Sequence, residues 1–370
     1  MHLKSLSLVN FKNYEQVDIP LSEKINCFVG ENGVGKTNVL DAVHYLALCK
    51  SSLNPVDTQN IRYDQEFCVV QGVFQRLDRE ENILCGIRKQ KKKQFKRNQK
   101  EYQKLSEHIG LIPLVMVSPF DSLLINGGSE ERRKFINSVI AQYSRPYLDN
   151  MIQYNRALTQ RNRLLKDFAA SRSFNREMLE VWDEQLLRYG EPIFQERKRF
   201  VSELLPVFGK FYEYVSGNRE VVSLKYQTQL DKIDFAEGLK ASVEKDRILQ
   251  YTTFGIHKDD LDMKLGEYSL KKSGSQGQQK TFLVALKLAE FEFIRKLTEI
   301  PPILLLDDIF DKFDSIRVKQ IISLVSENNF GQIFITDTNE SRLLGILNAL
   351  PADHRVYRID HEGNINLREG

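Results

Sequence analysis

The chain has 370 residues, enough to bury a large core and to hold two or three domains. A hydrophobic share of 41% beside 28% charged residues is that of a globular protein and excludes a disordered or fibrous chain. Fifty-three basic residues against fifty acidic ones leave a net charge of +3, so any surface for a polyanion has to be a local patch. The four cysteines, Cys27, Cys49, Cys68 and Cys85, form no CxxC or His/Cys cluster. They read as reduced, mostly buried thiols and not as disulfides or zinc ligands. No apolar run approaches the roughly 20 residues that cross a bilayer. The opening Met1-His2-Leu3-Lys4-Ser5-Leu6 lacks the apolar core of a signal peptide. A soluble, cytoplasmic chain without a membrane partner is expected.

Taken in chain order, apolar periodicity predicts strands over 3–10 and 24–29, then a helix over 36–48. Short strands are expected over 67–74, 82–88 and 94–97, and a fully buried one over 112–117. At Ser129-Glu130-Glu131 the pattern changes: a helix-capping serine with acids behind it opens a long-period helical stretch to about residue 214. Breaks are expected at Arg145-Pro146, Ser171-Arg172-Ser173 and Pro206. A strand over 221–226 and a helix over 235–246 follow. The last hundred residues read as α/β, with helices over 279–298 and 316–327 and buried strands over 303–306 and 332–336. The simplest organisation is one α/β domain in two parts, residues 1–128 and 216–370, with an inserted helical lobe over 129–215.

Gly30-Glu31-Asn32-Gly33-Val34-Gly35-Lys36-Thr37 matches GxxxxGK[ST] and lies between a predicted strand and a predicted helix. Glycines let such a loop curl until its N–H groups ring a phosphate at the helix N-terminus. Lys36 would neutralise phosphate oxygens and Thr37 would hold Mg²⁺; with Asn38 the stretch is a candidate ATP site. A second apolar strand ends in Asp307-Asp308, which suits the binding edge of an α/β sheet. Asp307 would join the Mg²⁺ shell, and Asp308 would polarise an attacking water beside the catalytic Lys36. A solvated acidic turn is the plainer alternative for an isolated match of this kind.

Ser275-Gln276-Gly277-Gln278 has the form of the signature loop of ATP-binding-cassette (ABC) ATPases, which reaches the ATP held by a second copy. Ser275 and Gly277 would cap the helix that follows and present its free N–H groups to an anion. Asp311-Lys312-Phe313-Asp314 stands at the spacing of a D-loop, with Asp314 at the dimer interface. The strand over 332–336 ends without the switch histidine of transporters, so γ-phosphate sensing would fall to a hydroxyl or to Asp337. The run from Arg88 to Arg97 carries seven cations and no acid. It is either a DNA-backbone contact or an exposed hairpin charged against edge pairing. Arg156, Arg161, Arg163 and Lys166 are a second basic series, on a solvated or DNA-facing helix.

The set as a whole resembles the RecF family, ATPases related to the heads of SMC proteins. Asn10-Phe11-Lys12-Asn13-Tyr14 is similar to the family's NFRNY motif, which implies that Lys12 and Asn13 lie near the nucleotide. Ser118-Pro119-Phe120-Asp121 with Glu131-Arg132-Arg133-Lys134-Phe135 resembles its SPED and ERRRF segments. Gly255-Ile256-His257-Lys258-Asp259-Asp260 resembles its GPHRDD motif. Phe120 replaces an acid, with Asp121 as the substitute, and Lys258 replaces an arginine whose fork it cannot reproduce. The resemblance implies an ATP-dependent DNA-binding protein of recombinational repair that dimerises on ATP. It further implies binding at gapped junctions of single- and double-stranded DNA, RecA loading with RecO and RecR, and weak DNA-stimulated ATP hydrolysis. Rival readings are a transporter ATPase subunit, a small-molecule kinase and an ABC-headed nuclease. The first would need a switch histidine, the second no signature loop, and the third a further acidic domain.

Overall fold

The computed structural model describes residues 1–217, 220–308, 331–348 and 353–368. They form two compact units, Met1–Asp121 with Lys280–Gly370, and Ser122–Gln279. In the first unit, β1 (His2–Phe11) and β2 (Tyr14–Pro20) make an antiparallel hairpin in which buried Leu6 faces buried Ile19. β3 (Ile25–Val29) is buried at every position, as a strand covered on both faces must be. α1 (Lys36–Leu48) has eleven of its thirteen residues buried, so it is an interior helix and not an amphipathic surface one. β4 (Phe67–Arg76), β5 (Arg79–Arg88), β6 (Gln94–Arg97) and β7 (Lys100–Glu101) complete an antiparallel sheet of order β2-β1-β4-β5-β6-β7. β8 (Leu114–Val117) leaves it for a second sheet.

The second unit is led by α2 (Ser122–Asn126), α3 (Ser129–Tyr143), α4 (Arg145–Ser171) and α5 (Arg176–Ser216). The cap expected of Ser129 belongs to Gly128, and Ser129 is already helical. Ser144 caps α4 by accepting from Tyr147 N, with Pro146 in the first turn where it costs no hydrogen bond. The break expected at Pro206 does not occur. α5 runs 41 residues through both Pro192 and Pro206, because an apolar face that includes Phe200, Leu204, Phe208 and Tyr212 is buried on both sides of Pro206. β9 (Val222–Gln227), α6 (Phe235–Leu249), β10 (Asp260–Leu265), β11 (Tyr268–Ser269) and α7 (Leu270–Ser273) follow, with the strands in one antiparallel sheet of order β11-β10-β9. The stretch over 216–279, grouped in the sequence with the C-terminal strands, thus packs with the helices.

Buried ions hold this second unit together. Arg161 is wholly buried and donates to Asp183 at 2.6 Å, Asp246 at 2.6 Å and Thr252 at 2.9 Å. Arg197, also buried, donates to Asp259 Oδ2 at 2.9 Å and to the Ile256 carbonyl at 2.8 Å. Arg132 grips Asp260 through Nε and Nη2, and Arg133 donates to the Asp259 carbonyl at 2.7 Å. Arg161 is therefore removed from any DNA-facing series, while Arg156, Arg163 and Lys166 remain exposed.

α8 (Gln276–Thr298) leads into β12 (Ile303–Leu306), β13 (Ile333–Asp337), α9 (Glu340–Leu347), β14 (His354–Ile359) and β15 (Ile365–Leu367). The second sheet of the first unit has order β15-β14-β3-β13-β12-β8, parallel throughout except for β15. α1 packs on β4 and β5 of one sheet and on β8 and β13 of the other, so one apolar core fills both interfaces. The four cysteines are buried and unpaired. The helix predicted over 316–327 and the D-loop motif lie outside the described residues. Among the described residues no helix is long and apolar enough to cross a membrane.

Removing one partner of a buried ion group strands the others in a dry interior. Arg161→Ala is expected to lower stability by about 3 kcal/mol, seen as a lower urea midpoint at unchanged slope.

Candidate nucleotide site

The glycine-rich loop joins β3 to α1 at the carboxyl edge of the parallel sheet, where such sheets bind ligands. A Cβ on Gly30 would stand 2.5 Å from the Ile359 carbonyl oxygen, and one on Gly35 2.4 Å from Asn13 Nδ2. Gly35, at φ +108°, is also the N-cap of α1 and offers no side chain to the first turn. The orphan N–H groups there are what an anion needs. Lys36 is 4% exposed and donates to the carbonyls of Gly30 at 2.9 Å and Glu31 at 2.8 Å. Its ammonium is thus folded back over the loop it belongs to.

The loop is braced from β1 and β2. Asn13 donates to the Val34 carbonyl at 3.0 Å and accepts from Asn38 at 2.7 Å, and the Tyr14 hydroxyl donates to the Gly35 carbonyl at 2.9 Å. Lys12 does something else: its ammonium lies on Asp41 of α1 at 2.6 Å. Ser51 and Ser52 hydroxyls donate to the same carboxylate at 2.6 Å each. Burial alone would raise the Asp41 pKa, but Lys12 and the serines outweigh it and hold the carboxyl below its usual range. Lys12 therefore anchors α1 in this arrangement, and Asn13 supports the loop.

Across the sheet, β12 delivers Asp307 to the same edge. Asp307 Oδ1 accepts from the Thr37 hydroxyl at 2.8 Å and from the Thr336 hydroxyl of β13 at 2.8 Å. The Thr336 oxygen in turn accepts from Asp308 N at 2.9 Å. Asp308 turns there with a left-handed φ of 46°. A hydroxyl and a carboxylate oxygen in contact are the hard donor set that Mg²⁺ selects, so Thr37 and Asp307 fit that ion. Asp337 is clamped by Arg342, which reaches both carboxylate oxygens at 3.1 Å. For γ-phosphate sensing the expectation is a hydroxyl or Asp337; the Thr336 hydroxyl sits against the acidic pair, and Asp337 is held by α9. Neither Arg342 nor the double contact of Thr336 carried a sequence signal, since both depend on where β13 and α9 meet. Asp121 accepts from Ser118 N at 2.7 Å and lies 3.4 Å from the buried Lys287 ammonium, while Phe120 is exposed.

In the second unit, Ser275 N donates to the Gln278 side-chain oxygen at 2.6 Å, and Gln278 N donates to Ser275 Oγ at 3.3 Å. This reciprocal pair is a capping box, so α8 begins at Gln276, three residues before its predicted start. Ser275, Gln276 and Gly277 are exposed. Asp314 lies outside the described residues. The basic run divides: Lys93 donates to the Cys49 carbonyl at 2.7 Å and the Tyr45 hydroxyl at 3.0 Å, and Arg97 pairs with Glu81. Arg88, Lys91 and Lys92 are exposed, as is Lys89, which lies 3.2 Å from Glu66. His257 meets the Tyr154 hydroxyl at 2.8 Å and the Thr252 carbonyl at 3.0 Å. Burial takes its pKa down to about 4, so the ring is a neutral structural link. No group of three or more His, Cys, Asp or Glu among the described residues is placed to hold a metal ion.

A phosphate-type loop, an acidic strand end on the same sheet edge and a helical insertion before a loop of signature form define an ABC/SMC-type ATPase head. The profile described as RecF/RecN/SMC N terminal domain matches residues 2–352. A Bacteroides fragilis protein called "DNA replication and repair protein RecF" is 52% identical over 370 residues, covering 100% of this chain and 99% of that protein. A Flavobacterium johnsoniae protein of the same name is 48% identical over 359 residues, covering 97% and 99%. The chain belongs to the RecF family. A solved structure titled as the recombination mediator protein RecF with ATP, in the RecFOR pathway, matches with a TM-score of 0.90 at 27% identity, over 100% of this chain and 98% of that one. An Smc head domain from Pyrococcus furiosus shares the fold, with a TM-score of 0.58 at 18% identity, over 99% and 96%.

Thr336→Val keeps the shape of the side chain but removes the hydroxyl that orients Asp307. The loss of one such bond is worth about 1 kcal/mol, so roughly fivefold more Mg²⁺ should be needed for half-maximal binding of a fluorescent ATP analogue. Binding without Mg²⁺ should be unchanged, and Thr336→Ser should restore the wild-type titration.

Proposed function

We propose that the chain is an ATP-dependent DNA-binding protein of recombinational repair, acting in the cytoplasm. It dimerises on ATP, binds gapped junctions of single- and double-stranded DNA, and helps load RecA together with RecO and RecR. The observation that carries the ATP half is the contact between Thr37 and Asp307, 270 positions apart in sequence and 2.8 Å apart in space. Glycines 30, 33 and 35, with Glu31, Asn32, Val34 and Asn38, would surround the phosphates, and Lys36 would balance their charge. Asp308 would orient the attacking water, with the metal held by Thr37 and Asp307.

Hydrolysis is weak and stimulated by DNA in this reading, because the site stays incomplete until a second copy adds Ser275, Gly277 and Gln278. Asp314 would stand at the same junction between copies. In domain terms, residues 1–128 and 216–370 would form the ATPase head and 129–215 the inserted lobe, with the head's stretch over 216–279 packed in one compact unit with that lobe. The names of the relatives, and the likeness to a solved RecF structure of the RecFOR pathway, support the repair assignment. Exposed Arg88, Lys91 and Lys92 support a phosphate-backbone contact, which needs clustered cations and no base reading.

Sedimentation with ATP and gapped DNA tests the mechanism. Wild type should sediment as a dimer, and Ser275→Arg should bind ATP yet remain monomeric. A monomeric wild type would overturn the ATP-driven dimer, and a dimeric Ser275→Arg would remove the signature loop from it.

A further inference from the structure

We infer that Glu220 is a positioning residue for the signature loop, tying the end of the long helix α5 to the groups that would face a second copy. The inference rests on the reading that Ser275 and Gly277 complete an ATP site in another protomer. One Glu220 carboxylate oxygen accepts from the Tyr212 hydroxyl at 2.7 Å, and the other accepts from the side-chain amide of Gln278. Tyr212 is buried on the last turns of α5, whereas Glu220 and Ser275 are exposed. All four residues belong to the same compact unit.

The donor and acceptor inventory gives this arrangement its specificity. A glutamine amide has one accepting end and one donating end, while an ionised carboxylate only accepts. Glu220 therefore takes the NH₂ end of Gln278 and leaves its oxygen for Ser275 N, at 2.6 Å. Gln278 N in turn donates to Ser275 Oγ at 3.3 Å. With its oxygen engaged as an acceptor, the Ser275 hydroxyl keeps its proton for an incoming anion. Without Glu220 the Gln278 amide can turn over, presenting NH₂ to Ser275 N and opening the capping box. Glu220 touches no nucleotide position itself; it acts through Gln278.

The test uses the full chain and reads two quantities: ATP-dependent dimerisation by sedimentation, and binding of a fluorescent ATP analogue to the monomer. Glu220→Ala is expected to weaken dimerisation about fivefold, the effect of one ordinary hydrogen bond lost at an exposed site, with analogue affinity unchanged. Gln278→Glu sets two carboxylates against each other and should weaken dimerisation at least as much. Combining Gln278→Glu with Glu220→Gln restores a matched donor and acceptor, and should recover dimerisation over Gln278→Glu alone. Recovery is a readout that a general loss of folding would not give. Wild-type dimerisation in Glu220→Ala, or no recovery in the double variant, overturns the inference. Ser275→Arg in the same series separates the two ideas: if it still dimerises, the shared-site reading itself fails.

Discussion

Asp307 Oδ1 is the point on which the geometry of the candidate nucleotide site depends. It receives a hydroxyl from α1, through Thr37, and another from β13, through Thr336. Two neutral donors converging on one carboxylate oxygen fix its direction, and Asp308 N on Thr336 extends the same control to the next residue. Charge-assisted hydrogen bonds of this kind are stronger than neutral ones. Three elements distant in sequence are thereby registered at one edge of the sheet. Parallel pairing of β3 with β13 and of β13 with β12 brings Val29 level with Asp337, and Leu306 level with Ile335. The strands deliver these side chains to one level, and the hydroxyls set the final angle.

Much of this could be read from residue patterns. The buried strands 25–29, 303–306 and 333–337 stand out as short apolar runs, and the glycine spacing before Lys36 names its own loop. What the sequence could not display is the partner of each ion. Lys12 is placed near the nucleotide by the resemblance alone, and nothing near it in sequence shows that its ammonium lies 2.6 Å from the buried Asp41 of α1. Arg161 looks like one cation in an exposed series, but helical period turns it inward between Asp183 and Asp246. The family-like charges Arg132 and Arg133 lie more than 120 positions from Asp259 and Asp260 and show no partners in the sequence; here they meet one another. Burial decides these cases, and burial depends on packing that no local window contains.

The same reasoning explains the helical unit. Buried guanidinium groups seldom add net stability over apolar replacements, but each fixes several partners in defined directions. Arg197 alone reaches Tyr147, Asn137, Ile256 and Asp259. A helix of 41 residues that passes through two prolines has weak local reasons to continue unbroken. Directional anchors along its flank supply what the backbone lacks.

The enclosure of α1 has a mechanical meaning. Interiors packed at crystal-like density do not yield to small pushes; they move as blocks or not at all. The helix that begins at the phosphate loop has a sheet on each side and no solvent-facing stripe to slide along. A pull on its first turn is therefore felt by β4 and β5 as well as by β8 and β13. The antiparallel sheet becomes a lever arm for whatever happens at Lys36.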